Sequence, residues 1–121
     1  MIQGIDHIDI AVDDVEATAA FFIAFGCTEI RRSDHGGQSI ELRLPGENQP
    51  ILELTCTHRP NGVVVPAGLR HIALRSSDIQ ATHAALSAKG IPLEGPPKFT
   101  NGRLVMNAID PAGKRSLQIV G

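Results

Sequence analysis

Apolar and polar residues alternate near the start of the chain. Ile8, Ile10 and Val12 share one parity and His7, Asp9 and Ala11 the other, the period of two expected of a strand with one buried face. The period then lengthens. Val15, Ala19, Phe22 and Ile23 recur at helical spacing behind Asp13 or Asp14, either of which can cap the helix, and Gly26 supplies the left-handed residue that ends it. Three strand candidates follow, Thr28 to Arg32, Gln38 to Leu44 and Ile51 to Cys56, broken by Asp34-His35-Gly36-Gly37 and Pro45-Gly46-Glu47-Asn48. A second series has the same order. A strand opens at Leu69, and a helix capped by Ser77 or Asp78 carries Ile79, His83 and Leu86 to Lys89-Gly90. Strand candidates then run Pro92 to Glu94, Arg103 to Ile109 and Ser116 to Val120, broken by Gly95-Pro96-Pro97 and Asp110-Pro111-Ala112-Gly113.

The two series superpose. His7 falls on His71, Val15 on Ile79, Ala17-Thr18 on Ala81-Thr82 and Gly26 on Gly90; further on, Gly37 falls on Gly102 and Leu52-Glu53-Leu54 on Leu117-Gln118-Ile119 with one residue inserted. A repeat of this length is one supersecondary unit used twice. The pattern predicts a single α+β domain over 1–121 of two tandem βαβββ modules, module one about 1–57, a Pro- and Gly-bearing linker about 58–67, and module two about 68–121.

Strand parity sorts the side chains. Ile40, Leu42 and Leu44 form one face of their strand and Ser39, Glu41 and Arg43 the other. Leu52, Leu54 and Cys56 can lie under a helix while Glu53 turns away, and Gln118 turns away between Leu117 and Ile119. His7, Glu53, His71 and Gln118 therefore share the face opposite the helices.

Composition narrows the partners. Eleven Lys plus Arg against thirteen Asp plus Glu leave a net charge of -2, which gives no basic field for nucleic acid or an anionic membrane. Trp and Tyr are absent and Phe numbers four, so aromatic platforms for stacking bases are few. The opening residues have neither a basic start nor a long apolar run, and Cys27 and Cys56 lack C-x-x-C spacing; a cytoplasmic protein with buried free thiols is expected.

The openings D-H-I-D-I-A-V-D-D-V and R-H-I-A-L-R-S-S-D-I, the strand I-L-E-L-T, and D-P-A-G before a closing L-Q-I strand resemble the vicinal-oxygen-chelate superfamily of glyoxalases, bleomycin-resistance proteins and extradiol dioxygenases. The resemblance spans essentially the whole chain. It implies a curved mixed sheet around a cavity, with helices on the outer face. It implies a divalent ion, Zn, Ni, Co or Mn, held by His7, Glu53, His71 and Gln118. The family's closing ligand is usually Glu; here the spacing after Gly113 is one residue longer and ends on Gln118. Such a donor set leaves positions open for two vicinal substrate oxygens and keeps the ion a good Lewis acid. A carboxylate nearby then removes a proton from the carbon next to the chelated oxygen.

Glu53 and Glu41 are the candidates for that proton work. The methylmalonyl-CoA epimerase branch is similar in placing a non-ligand Glu on the third strand of a module, although its Gln ligand sits in the first module. Arg75 and Arg43, of matching parity, are candidates for an anionic substrate group. Each has a plain counterpart: a lone strand His is more often a hydrogen-bonded imidazole, and Glu41 could pair with Arg43 or Arg75. His35, His58 and His83 fall in a turn, a linker and a helix and read as solvated or structural. The resemblance thus implies a glyoxalase I-like lyase or an epimerase-like isomerase acting on a small 2-oxo, hemithioacetal or acyl-thioester substrate. The alternative is a metal-free small-molecule binding protein of the bleomycin-resistance type, with a dioxygenase or fosfomycin-type transferase last. A homodimer is expected, because short strands leave edges that the family closes against a second subunit.

Overall fold

The computed structural model describes residues 1–34 and 37–121; His35 and Gly36, with the turn predicted there, lie outside the described residues. Among these the order is β1 (Ile2–Val12), α1 (Val15–Ala24), β2 (Thr28–Ser33), β3 (Ser39–Arg43), β4 (Ile51–Cys56), β5 (Gly68–Ser76), α2 (Ile79–Ala88), β6 (Lys98–Thr100), β7 (Arg103–Ala108) and β8 (Leu117–Val120). The βαβββ order occurs twice, as the repeat predicts. The chain forms two compact units, one of residues 7–70 and one of residues 1–6 with 71–121, so β1 contributes to both.

In the unit of residues 7–70 the strands lie in the order β2-β3-β4-β1. β1 and β4, the first and last strands of one module, are parallel, while β2, β3 and β4 are antiparallel neighbours; α1 carries the chain back after β1, as a parallel pair requires. Asp14, extended at φ -120, caps α1 by accepting from the Ala17 backbone N–H at 2.9 Å. Val15 and Ala19 then pack against Ile40, Leu42, Leu52 and Leu54, with Ile8, Ile10, Val12 and Phe22 joining from the margin. Full burial of side chains such as Leu42 and Leu54 stabilises the fold by about 1.5–3 kcal/mol each. Ile23, placed by its spacing on the buried face of the helix, is instead exposed. On the helix it falls at the edge of the stripe that Val15, Ala19 and Phe22 turn to the core.

The second unit repeats the plan in the order β5-β8-β7-β6. Asp78 caps α2 through the Ala81 N–H at 3.0 Å, and Ile79 packs with Met106, Ala108 and Ile119. One strand differs from expectation. Pro92 to Glu94 forms only an isolated bridge, Leu93 with Ala108, and the strand itself is Lys98–Thr100. Pro92, Pro96 and Pro97 lack the N–H that a ladder needs, so pairing starts beyond them. Thr100 pairs with Arg103 across Asn101-Gly102, both at positive φ (50 and 81), the two-residue turn whose twist suits a hairpin.

Candidate functional site

Register decides which side chains meet on the face opposite α1. Parallel pairing puts Asp9 beside Glu53, and antiparallel pairing puts Glu41 directly opposite Glu53. Three carboxylates therefore stand in a row across β3, β4 and β1. Glu53 and Glu41 were legible from parity, whereas Asp9 was not singled out, although it shares the parity of His7.

The three are held differently. Asp9 is 1% exposed, accepts a hydrogen bond from Thr55 Oγ1 at 2.8 Å, and has Arg70 Nη1 at 3.6 Å. Glu41 pairs with Arg31 on β2, Nε to Oε2 3.5 Å, so its cation is neither Arg43 nor Arg75. Glu53 is half-buried. Burial first, and then the charge of Asp9, push its carboxyl up to about 7; His7 and Arg70 pull it down, and Glu41 adds to the rise. A group poised near neutrality can both take and return a proton. Arg59, just beyond β4, lies in the same field: burial and then Arg70 lower its guanidinium from the ordinary value, and Asp9 and Glu53 oppose that.

The same positions in the second unit carry different chemistry. Ala73 stands beside Gln118, and Asn107 stands opposite it. Gln118 Nε2 donates to Asn107 Oδ1 at 3.4 Å. Asp9, Glu53 and Glu41 thus correspond to Ala73, Gln118 and Asn107: an acidic row in one copy and a neutral amide pair in the other. His71 lies on β5, half-buried, two residues before Ala73, and Arg75 two residues after it. Arg75 lies 3.8 Å from Asp6, which also takes a two-pronged pair from Arg103 at 2.8 and 2.9 Å. Arg43 ends β3 on the parity of Glu41 and is exposed.

Among the described residues no group of three or more His, Cys, Asp or Glu side chains is gathered for a metal ion. The donors on β1 and β4 still suit one chemically. Imidazole and carboxylate are ligands for Zn, Ni, Co and Mn, and a dication would offset both the burial and the charge of Asp9 that raise the Glu53 carboxyl to about 7. A cavity of about 310 Å³ lined by Arg32, Ser33, Asp34, Gln38, Ser39 and Ile40 opens at one end of β2 and β3; neither Glu41 nor Glu53 lines it. Cys27 and Cys56 are free thiols. No helix among the described residues is long and apolar enough to cross a membrane.

Known proteins with this arrangement are informative at the level of fold. A Streptomyces coelicolor methylmalonyl-CoA epimerase variant in complex with 2-nitronate-propionyl-CoA superposes with a TM-score of 0.79 at 23% identity, over 99% of this chain and 94% of that one. Methylmalonyl-CoA epimerase from Mycobacterium tuberculosis gives 0.80 at 22% identity, over 98% and 87% of the two chains. A Bacillus halodurans protein described as hypothetical gives 0.75 at 19%, over 96% and 91%. No curated protein sequence matches the chain. The family model of the Glyoxalase/Bleomycin resistance protein/Dioxygenase superfamily matches residues 4–115, nearly the full length, and the chain belongs to that superfamily.

Proposed function

We propose that this protein is a metal-dependent isomerase of the epimerase kind, moving a proton at the carbon next to a chelated oxygen of a small acyl-thioester. The observation that carries the reading is the row Glu41–Glu53–Asp9, in which the central carboxyl is pushed up to about 7. The likeness in fold to methylmalonyl-CoA epimerases supports the choice of an acyl-thioester over a 2-oxo or hemithioacetal substrate.

The donors marked by the repeat, His7, Glu53, His71 and Gln118, are those a divalent ion would take. When bound, the ion polarises the substrate oxygens and acidifies the adjacent C–H. Glu41 and Glu53 share the proton work: Glu41, across the strand pair, receives or supplies the proton that moves, and Glu53 either stays on the ion as a carboxylate or exchanges off it to act as base. Asp9, fixed by Thr55, keeps the electrostatic setting of Glu53. Arg43 and Arg75 are the cations for an anionic substrate group. Free thiols at Cys27 and Cys56 suit a reducing cytoplasm.

The test is solvent deuterium entering methylmalonyl-CoA at its acyl α-carbon, followed by proton NMR with Zn, Ni, Co or Mn supplied in turn. Exchange is expected with at least one ion. Glu41→Gln should keep the metal and lose about 10²- to 10⁴-fold in exchange. Glu53→Gln should weaken both, and His7→Ala or His71→Ala should abolish stoichiometric metal. Gln118→Glu should tighten binding by adding a charge to the donor set. No exchange with methylmalonyl-CoA under any ion overturns the reading.

The amide pair Gln118–Asn107 favours one other reading, a metal-free small-molecule binding protein of the bleomycin-resistance type. It takes over if the wild type and Gln118→Glu both stay metal-free after incubation with those four ions.

A further inference from the structure

The run between the two modules is folded into a hairpin. After β4 the chain continues through Thr57, whose N–H donates to the Val12 carbonyl at 3.0 Å, and then turns back, so that His58 bridges Val64 and the Val65 N–H donates to the Thr57 carbonyl at 2.8 Å. Pro60, Asn61 and Gly62 make the turn. The Asn61 side chain accepts from the Val63 N–H at 3.0 Å, and Gly62 takes a φ of 82, which favours glycine. Arg59 lies inside this hairpin with both backbone groups engaged: its N–H donates to Val63 at 2.8 Å and its carbonyl accepts from Gly62 at 3.0 Å. The buried Thr57 hydroxyl donates to Asp13, just past β1, at 2.5 Å and meets His58 Nδ1 at 3.0 Å, which ties down the base of the hairpin.

A backbone fixed at so many points holds one guanidinium in place beside the carboxylate row. Arg59 lies in the field of Asp9 and Glu53, and Arg70 on β5 brings a second guanidinium, its Nη1 3.6 Å from Asp9. One cation is enough to balance the buried Asp9. A second, drawn up against the first, costs repulsion that an incoming anion would remove. Glu41 has its own cation in Arg31, and an ion on Glu53 would take that carboxylate's charge, so the two guanidiniums would then face Asp9 alone.

We propose that Arg59 and Arg70 are specificity-determining residues that together take a carboxylate attached to the reacting carbon, a role that rests on the reading of the Glu41–Glu53–Asp9 row as the place where the proton moves. The substrate is then a malonyl-type thioester and not a neutral acyl-thioester. Guanidinium forks match the two oxygens of a carboxylate. With a carboxylate on that carbon, removal of the proton places a second negative charge beside the first, and two guanidiniums offset it. Their position at the row assigns them to the acyl end of the substrate. Arg43 and Arg75 are left for the phosphates of the thiol carrier.

A plainer role for Arg59, as a structural partner of Asp9, predicts something different. Its loss would then lower stability without changing which thioester binds.

Isothermal titration calorimetry with Zn supplied separates the two roles by comparing methylmalonyl-CoA with propionyl-CoA, which share carrier and thioester and differ in the carboxylate. The wild type should prefer methylmalonyl-CoA. Arg59→Gln should cut that preference roughly 10- to 100-fold, the loss expected of one charge-assisted pair, with zinc content and circular dichroism spectrum unchanged. Arg59→Lys, which keeps the charge but not the fork, should recover only part of it. Arg59 is the residue to change first, because Arg70→Gln would also strip Asp9 of its cation. Equal affinity of the wild type for the two thioesters overturns the proposal, as does a folded Arg59→Gln that keeps the full preference. Should Arg59→Gln fail to fold, a full preference in Arg59→Lys overturns it. A preference lost in Arg59→Gln, together with no solvent exchange under any ion, would instead overturn the proton-transfer reading and keep the carboxylate subsite.

Discussion

The raised Glu53 carboxyl makes the fold lose stability as pH rises, and Glu53→Gln should remove that loss. Unfolded, Glu53 titrates at the ordinary value of 4.5; folded, it titrates at about 7. Below the first value both states hold the proton. Between the two the folded state keeps a proton that the unfolded state has released, so the unfolding free energy falls with increasing pH. Above the second value both are ionised and the full penalty remains. At 1.36 kcal/mol per pH unit the shift corresponds to about 3 kcal/mol, and the partial exposure of Glu53 reduces this to about 2 kcal/mol.

The assay is urea unfolding of metal-free protein from about pH 5 to about pH 8, comparing wild type with Glu53→Gln. The wild type should lose about 2 kcal/mol more than the variant across that window. Glu29 and Asp110 do not interfere, because their carboxyls are lowered, by Arg32 and by Ser116 respectively, and any stability they carry is lost only as pH falls below the ordinary range. Parallel profiles for the two proteins would refute the reasoning. So would a ¹³C NMR midpoint for the Glu53 carboxyl in its ordinary range.

Three further substitutions probe the scaffold by chemical denaturation. Thr55→Val removes the 2.8 Å hydrogen bond to the buried Asp9 carboxylate and should cost about 1–3 kcal/mol; a smaller loss would mean that Asp9 is not held by Thr55. Arg103→Ala removes both bonds to Asp6 and should cost about 2 kcal/mol, with Arg103→Lys recovering only part of it because an ammonium lacks the fork. Asp14→Ala and Asp78→Ala should each cost about 1 kcal/mol as lost helix caps, and Asn at either site should restore most of it.

The backbone plan was legible because its signals are local. Period-two strands, capping aspartates and terminal glycines fix α1, β4 and their repeats within a residue or two and mark the end of β1, whose start at Ile2 lies well before the alternation from His7 to Val12. β6 was misplaced because Pro92 to Glu94 reads as a short apolar run, while Asn101-Gly102, flanked by Phe99 and Leu104, is the stronger hairpin signal. Asp9 escaped notice for a different reason. Parity shows which face a residue is on, but neighbours across strands depend on register, and the pairing of Asp9 with Glu53 needs β1 and β4 aligned to the residue. The cation of Glu41 was equally hidden, since Arg31 reaches it from a strand whose pairing shifts between Glu29 and Arg31.

That register also separates what the repeat preserves from what it alters. Backbone positions recur faithfully: Asp9 beside Glu53 and Glu41 opposite it have the same pairing as Ala73 beside Gln118 and Asn107 opposite it. The chemistry placed on them does not recur. One copy concentrates three carboxylates, the central one raised by burial first and then by the charges of Asp9 and Glu41; the other carries amides, which hydrogen-bond to each other and do not titrate. Replacing Asn107 by Asp would therefore put a carboxylate against the Gln118 amide, not against a second carboxylate. It should not create a second group titrating near neutrality, whereas Gln118→Glu with Asn107→Asp should. ¹³C NMR titration of the two variants decides between these outcomes. A raised carboxyl in the single Asn107→Asp variant would show that burial alone suffices, and that the row of charges around Glu53 is incidental.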